Sequence, residues 1–210
     1  MPRLVDAMAA SKPYHHGDLR RALLDAAERV LERDGAGALS LRAVAREAGV
    51  SAAAPYHHFK DKDDLLAAVI DRSFETWLRV WELPSDGQPR ERVIGLATQL
   101  AKGLLDHPDF LRLGLMLALE RRPVEPRARA QFLQARTQAS ASLTEALGEL
   151  APGLTDAQVR LLVNYSIAGA DGLFIAKELG GDSVDLLELF EMHANAIYDT
   201  ALRMLAENAR

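Results

Sequence analysis

The apolar residues of this chain recur three or four positions apart, which is the period of an α-helix, from Leu19 to near the C-terminus. No stretch of useful length alternates apolar and polar residues as a half-buried strand would, and no segment repeats another. The period therefore predicts an all-α fold of about nine helices. The first helix is marked by one continuous apolar face: Leu19, Ala22, Leu23, Ala26, Ala27, Val30 and Leu31.

Glycines and capping residues divide the N-terminal part into three helical segments. Gly35 is placed to end the first helix, because glycine readily adopts the left-handed backbone that follows many helices. Ser40 can cap a second, short helix that runs through Arg46. After the tight turn at Gly49-Val50, Ser51 can cap a third helix. Two short helices around a glycine turn are typical of a helix-turn-helix.

A longer fourth helix begins at Asp61, and the stretch PSDGQP at 84–89 breaks the chain after it. Thr155 and Ser183 are placed to cap two later helices. Beyond the break, helices are expected at about 93–105, 110–119, 128–150, 156–179 and 183–206. We expect four parts: a flexible arm at 1–16, a helix-turn-helix domain at 17–62, a connecting helix at 63–83 and a larger helical domain at 84–210.

Charge is unevenly distributed along the chain, whose formal net charge is −5. Residues 1–60 carry nine Lys/Arg against seven Asp/Glu, whereas the remainder carries sixteen against twenty-three. A mildly basic front joined to an acidic body indicates that only the front meets a polyanion. The apolar run at 161–170 is about half of a membrane span, and neither cysteine nor an N-terminal signal pattern is present. We expect a cytoplasmic protein without a membrane span.

The stretch SAAAPYHHFKDK at 51–62 is short and polar, and its chemistry suits contact with DNA. A helix in the major groove needs small side chains where it meets base edges, and three alanines supply them. Hydroxyl, imidazole and ammonium groups around them can contact phosphates. A plain surface helix, with alanines chosen for helix propensity, is the alternative. The predicted DNA-contacting residues are Ser40, Arg42, Ser51, Ala52, Ala53, Ala54, Tyr56, His57 and Lys62.

Residues 14–70 resemble, in one unbroken register, the N-terminal domain of TetR-type transcriptional repressors. The resemblance rests on the Leu/Ala-rich first helix, SLRAVA at 40–45, AGVS at 48–51, and YHHF at 56–59 with Lys62. It implies a homodimer that binds a pseudo-palindromic operator in double-stranded DNA, with recognition helices about 34–36 Å apart. It also implies a small-molecule effector that shifts the fourth helix, and a dimer interface built from the last two helices.

Pro55 departs from the family pattern, in which an aliphatic residue commonly precedes the tyrosine. Proline at the fourth position of a helix has no N–H to donate toward the cap, and it biases Ala54 away from α geometry. We therefore expect a distorted or shortened recognition helix. Phe59 is expected to turn inward and hold this segment on the first helix.

The larger domain is expected to enclose an effector pocket between Val93 and Leu150 and to form the dimer interface with helices 161–175 and 184–205. The candidate pocket residues are mainly apolar, which indicates a largely apolar ligand, and each could equally be ordinary core. They are Trp77, Trp81, His107, Phe110, Leu113, Met116, Leu117, Phe132, Asn164, Tyr165 and Phe174. The candidate interface residues are Leu161, Ile167, Ala168, Gly172, Ile175, Leu187, Phe190, Ala194 and Ile197.

No metal, cofactor or enzymatic activity is expected. Adjacent helical residues point about 100° apart, so neither His15-His16 nor His57-His58 is a natural chelate. No glycine-rich phosphate loop, nucleophile elbow or metallohydrolase spacing occurs. Asp171, among small residues, is expected at a close helix contact, paired or at the interface edge. Arg3 and Lys12 could reach the minor groove, and a disordered tail is an equal alternative.

Two other classes of function remain open. The first is a helical-bundle protein that carries a ligand or binds a partner, with a helix-turn-helix that only packs; it would lack salt-dependent affinity for DNA. The second is an all-α enzyme, which would need paired titratable groups in a pocket, such as Asp171 beside a histidine.

Overall fold

The computed structural model describes residues 16–78, 83–119 and 126–210. Within these ranges the chain forms eight α-helices and two 3-10 turns, and no strand, so the prediction of an all-α fold is confirmed. The helices are α1 (His16–Ala38), α2 (Leu41–Ala48), α3 (Lys62–Leu78), α4 (Pro89–Asp106), α5 (Asp109–Leu119), α6 (Arg127–Leu150), α7 (Asp156–Gly180) and α8 (Leu186–Asn208). The turns are Ala54–His57 and Gly181–Ser183.

The turn at Ala54–His57 takes the place of the third predicted helix, which accounts for eight α-helices rather than nine. Pro55 lies inside this turn, and its side chain is fully buried. The shortening expected from Pro55 is therefore confirmed. The expected cap at Ser51 is wrong, because the turn begins after Ala53 and has no side-chain cap.

The chain divides into two compact units, Met1–Val69 with Pro126–Ala128, and Ile70–Glu125 with Arg129–Arg210. The described part of the first unit contains α1, α2, the turn and the start of α3. Phe59 is 2% exposed, and the guanidinium carbon of Arg20 on α1 lies 5.4 Å from its ring centre, so Phe59 turns inward as expected. Other core residues of this unit are Leu23, Val30, Leu39, Val44 and Leu65.

Local capping positions α2, as the sequence predicted. The Ser40 hydroxyl accepts the Ala43 N–H at 3.1 Å, which satisfies one of the open donors of the first turn. Gly49 ends the helix with φ 68°, a left-handed conformation that glycine adopts without strain. Its N–H donates to the carbonyls of Ala45 and Arg46 in the last turn of α2. α2 is thus fixed at both ends.

Helix starts in the second unit follow the same rules, with one correction. The Thr155 hydroxyl accepts the Gln158 N–H at 3.3 Å while the Gln158 side chain accepts the Thr155 N–H at 2.9 Å, so the predicted capping box of α7 is confirmed. The cap of α8 is Asp185, whose carboxylate accepts the N–H groups of Leu187 and Glu188 at 2.9 and 3.1 Å. Ser183 instead lies in the preceding turn.

Aromatic rings from α3, α5 and α6 form one part of the core of the second unit. The ring centres of Phe74 and Phe110 are 5.2 Å apart, and those of Phe110 and Phe132 are 5.5 Å apart. These are favourable separations for tilted aromatic pairs. A separate apolar cluster joins α6, α7 and α8 through Leu147, Ala151, Leu162, Val163, Ile197 and Ala201.

Candidate DNA-binding site and ligand cavity

The backbone of residues 51–59 is held by hydrogen bonds of 3-10 type. The N–H of Ala54 donates to the carbonyl of Ser51 at 3.0 Å, and that of Tyr56 donates to Ala53 at 3.1 Å. An α-helix begun at Ser51 would need the N–H of residue 55 to reach the Ser51 carbonyl, and proline has none. The carbonyl of Pro55 then accepts both His58 and Phe59 at 2.9 Å, which closes the segment.

This geometry leaves most of the predicted contact residues exposed. Ser51, Ala52, Ala53, Tyr56 and His57 are exposed, with Tyr56 at 55%. Ala54 is half-buried, and the Pro55 ring fills the core beneath it. The segment thus presents small and polar groups on one side and one buried ring on the other.

Three further predicted residues lie on neighbouring elements of the first unit. Arg42 is exposed on α2, while the exposed Ser40 already uses its hydroxyl to cap that helix. The Lys62 ammonium donates to the Ala36 carbonyl at 2.8 Å, so this side chain is tied to the end of α1. An ammonium has three N–H donors, and two remain for an anion.

The start of α3 carries a reciprocal cap. The Asp61 carboxylate accepts the Asp64 N–H at 2.9 Å, and the Asp64 carboxylate accepts the Lys60 N–H at 3.0 Å. Lys60 is exposed and was not among the predicted contacts. Its position directly after Phe59 and two residues before the predicted contact Lys62 is the signal that could have found it.

Two arginines of α1 hold α2 through one carboxylate. Arg29 donates to Glu47 at 2.9 Å and Arg33 donates at 3.0 Å. Hydrogen bonding from Arg29, followed by that from Arg33, lowers the pKa of Glu47 below its usual value of 4.5. α1 is therefore joined by charge as well as by apolar packing to α2, the helix that presents Arg42 and precedes the turn.

A cap within the first unit involves the opening residues of α6. The Asp63 carboxylate accepts the backbone N–H of Arg127 at 2.8 Å and that of Ala128 at 3.4 Å. The guanidinium of Arg127 also pairs with Asp64. Carboxylates at a helix N-terminus satisfy open donors and favour the helix dipole, so α6 begins where the sequence places no capping residue of its own.

The second unit contains a cavity of about 130 Å³ among α4, α5, α6, α7 and α8. Fourteen of its twenty-two lining residues come from the predicted interval between Val93 and Leu150, and the other eight from the last two helices. The apolar lining residues are Val93, Leu96, Ala97, Leu100, Leu104, Phe110, Leu111, Ala135, Ala139, Leu143, Ala146, Leu147, Leu150, Ile167, Ala170, Phe190, Ala194 and Ile197. Four residues with polar groups complete it: Arg136, Ser166, Asp171 and His193.

Of the eleven predicted pocket residues, Phe110 lines this cavity. Leu113, Leu117, Phe132 and Phe174 are buried core residues that do not line this cavity. His107, Met116, Asn164 and Tyr165 are exposed, because they lie at a helix end or on outward faces, and they do not line it either. Trp81 and the side chain of Trp77 lie outside the described residues, as does the arm at 1–15 with Arg3, Lys12 and His15.

The polar wall of the cavity is built around one ion pair. Arg136 on α6 donates to both carboxylate oxygens of Asp171 on α7, at 2.9 and 2.7 Å. The pairing expected for Asp171 is confirmed. His193 on α8 places Nε2 3.0 Å from the Ser166 carbonyl and lies against Gly169, where a Cβ would be 2.2 Å from its ring. Helical spacing from Phe132 and Ala135 could have placed Arg136 here, because all three share one side of α6.

The predicted interface residues separate into two groups. Leu161, Ala168, Gly172 and Ile175 are exposed on one face of α7, with Leu161 at 59%. Ile167, Phe190, Ala194 and Ile197 line the cavity instead, and Leu187 is half-buried on α8. Exposed Tyr165 and Leu179 extend the α7 face at helical spacing. An apolar helix face of this length is unusual on the surface of a monomer.

Comparison with known proteins agrees with this arrangement. Residues 23–69 match the family described as bacterial regulatory proteins, tetR family. The HTH-type transcriptional regulator BetI of Rhizobium meliloti (strain 1021) is 32% identical over 183 residues, which cover 84% of this chain and 88% of that protein.

Solved structures share the fold along most of the chain. A protein of unknown function from Rhodococcus sp. RHA1 has 31% identity and a TM-score of 0.64, with 90% of this chain and 98% of that chain covered. A tetR-family transcriptional regulator from Streptomyces coelicolor has 18% identity and a TM-score of 0.71, with 91% of each chain covered. The BetI similarity, which extends through both units, shows that this chain belongs to the TetR family of transcriptional regulators.

Proposed function

We propose that this protein is a repressor that binds a pseudo-palindromic operator as a homodimer and is released by a small, largely apolar ligand. The observation that carries the proposal is the exposed segment Ser51–His57, which offers alanines to base edges and Tyr56 and His57 to phosphates. Arg42, Lys60 and Lys62 add positive charge on the neighbouring elements. A regulator that binds DNA in this way is expected in the cytoplasm.

The exposed face of α7 supports the homodimer. The segment Asp156–Ser183 is long and apolar enough to cross a membrane by length and composition, with a mean hydropathy of 1.3, and 17% of this apolar window is buried within the chain. Asp171 and Lys177 interrupt the apolar sequence of this helix, and both have partners inside the second unit. A second copy of the chain would cover the apolar face across a two-fold axis, and Ala168 and Gly172 would allow close approach of the helices.

The cavity supports ligand control. α6 contributes Arg136 to the cavity wall, and its opening residue Arg127 donates to Asp63 at the start of α3. A ligand that favours one position of α6 or α3 would change the distance between the two recognition segments, which are the Ser51–His57 segments of the two copies in the dimer. The coupling free energy between two such sites is typically about 1–3 kcal/mol. A coupling of this size lowers operator affinity by a factor of between about five and a hundred and fifty.

Selection of bound fragments from the source genome, followed by salt titration of the best fragment, tests this function. We expect an enriched palindrome, and we expect the affinity of the protein for it to fall steeply with salt. Protein binding releases cations from the DNA phosphates, and this release is less favourable when the salt concentration is high. Lys62→Ala should lower the affinity and reduce the salt slope by about one. Lys102→Ala, which removes an exposed lysine from α4, is the matched control and should change neither quantity.

Two results would contradict the proposal. If no fragment is enriched by ligand-free protein, the helix-turn-helix only packs, and a ligand-carrying helical bundle becomes the better description. If Lys62→Ala and Lys102→Ala weaken binding equally, the affinity comes from overall charge and not from the recognition segment.

A further inference from the structure

The charged groups in the cavity wall neutralise each other. Arg136 and Asp171 form a two-pronged pair, with both oxygen atoms of the carboxylate engaged. Their side chains are 28% and 19% exposed, so solvent screens the pair only in part. All other lining residues except Ser166 and His193 are apolar. The wall therefore carries no net charge from Arg136 and Asp171.

The hydrogen-bond donors of the other polar residues in the wall are mostly used within the protein. His193 Nε2 faces a carbonyl oxygen, which can only accept, so this nitrogen carries the proton and donates to Ser166. The Ser166 hydroxyl donates to the Leu162 carbonyl at 2.7 Å. Arg136 has five N–H donors, of which two reach Asp171. Within the described lining, Arg136 is thus the residue that keeps donors for a ligand.

A charged ligand would have to break this pair. A carboxylate that takes Arg136 leaves the Asp171 carboxylate without its partner, and an ammonium that takes Asp171 leaves the guanidinium unpaired. Leaving one member of a partly buried ion pair without its partner costs more free energy than the intact pair contributes to stability. An uncharged acceptor, such as a carbonyl oxygen, can use a remaining N–H of Arg136 and leave the pair intact.

We infer that this cavity binds an uncharged, mostly apolar molecule with a hydrogen-bond acceptor that is directed to Arg136, an inference that rests on the proposed ligand-controlled function. The size of the cavity, about 130 Å³, sets the scale of the buried part. In another protein an apolar cavity of about 150 Å³ accommodates benzene. One ring or a short branched chain fills such a space.

Four probes with one ring and different polar groups test the inference: acetophenone, ethylbenzene, benzoate and benzylammonium. Each is titrated into the purified protein without DNA, and binding is followed by NMR shifts of the methyl groups of Leu104, Leu143 and Ile197. Acetophenone should bind about tenfold tighter than ethylbenzene, the ratio that a hydrogen bond to a charged group provides. Benzoate and benzylammonium should bind more weakly than ethylbenzene.

Variants of the ion pair should change the selectivity in opposite directions. Asp171→Asn leaves the guanidinium of Arg136 unpaired, and benzoate should then become the tightest of the four probes. Arg136→Gln leaves the carboxylate, and benzylammonium should become the tightest. The combined variant carries neither charge; it should still bind ethylbenzene, and its preference for acetophenone should shrink because an amide N–H is a weaker donor than a guanidinium N–H. Ala139→Leu, which fills part of the cavity, should weaken all four probes.

Tighter binding of benzoate or benzylammonium than of acetophenone by the unaltered protein would overturn the inference. Absence of binding by all four probes at millimolar concentration would also overturn it, as would an unchanged order of affinities in both single variants. These results are independent of the proposed function, because no DNA is present. If acetophenone binds as expected but an uncharged ligand of higher affinity never alters operator binding, ligand control fails and the cavity chemistry stands.

Discussion

The backbone of Gly114 lies directly against the ring of Phe132. A Cβ placed on Gly114 would come within 2.0 Å of the Phe132 Cε2 atom, far closer than any van der Waals contact. Phe132 is fully buried, and its ring also packs at 5.5 Å from that of Phe110, so it has little freedom to move aside. The approach of α5 to α6 therefore depends on the absence of a side chain at position 114.

Gly114→Ala should lower the free energy of unfolding by about 1–3 kcal/mol, the usual cost of overpacking a core. Gly148→Ala is the matched control, because Gly148 is also helical but has open space where its Cβ would lie. That change should raise stability by about 0.4–1 kcal/mol through a less flexible unfolded chain. Urea unfolding of the three proteins measures both effects, and equal stability of the two variants would contradict the packing argument.

Leu161→Glu should convert the proposed homodimer to a monomer. Leu161 is 59% exposed on the apolar face of α7, and two buried carboxylates facing each other across a two-fold axis would repel while losing water. Leu119→Glu changes an exposed leucine of α5 and should leave the mass unchanged. Sedimentation velocity reports the mass. A monomeric wild type would contradict the proposed homodimer, whereas dimers in both variants would place the interface elsewhere.

Glu47→Gln should remove a stabilising contribution that depends on pH. The pKa of Glu47 is lowered in the folded protein, chiefly by hydrogen bonding from Arg29, so ionisation is easier in the folded than in the unfolded state. Its contribution is fully present above the usual value of 4.5 and is lost as pH falls through the lower folded value. The stability gap between wild type and variant should therefore close below 4.5, as measured by urea midpoints. A gap that persists at low pH would point to packing.

Pro55→Leu should lengthen the recognition segment. Leucine keeps an apolar side chain for the buried position and restores the N–H that can donate to the Ser51 carbonyl. Cα chemical shifts of residues 52–57 should move toward α-helical values. Shifts that stay unchanged would mean that the surrounding core, and not the missing donor, selects the 3-10 turn.

Sequence reasoning predicted the helices well because their signals are local. The hydroxyls of Ser40 and Thr155 each accept a backbone N–H three residues later, and Gly49 adopts the left-handed conformation that ends α2. The residue type alone therefore indicates these helix boundaries. Ser183 misled because Asp185, two residues later, has the stronger acceptor. The effect of Pro55 was equally readable, since a missing N–H removes a hydrogen bond in any context.

The cavity could not be located in the same way. α7 is apolar nearly all round, and periodicity does not distinguish the side that packs on its own chain from the side left exposed. Ile167 of α7 is therefore expected in the interface from sequence, although it lines the cavity. The pairing partner of Asp171 was also hidden, because Arg136 lies thirty-five positions away and only the packing of α6 on α7 brings them together.

Pro55 has a thermodynamic consequence for recognition. Because residue 55 has no N–H, contact with DNA cannot form the α-helical hydrogen bond to the Ser51 carbonyl, and under the proposed function residues 51–59 would enter the groove in the form that they have in the free protein. Binding then includes no local folding, with neither its ordering entropy nor its share of the heat-capacity change. Any large negative heat-capacity change on operator binding would have to come from surfaces outside residues 51–59.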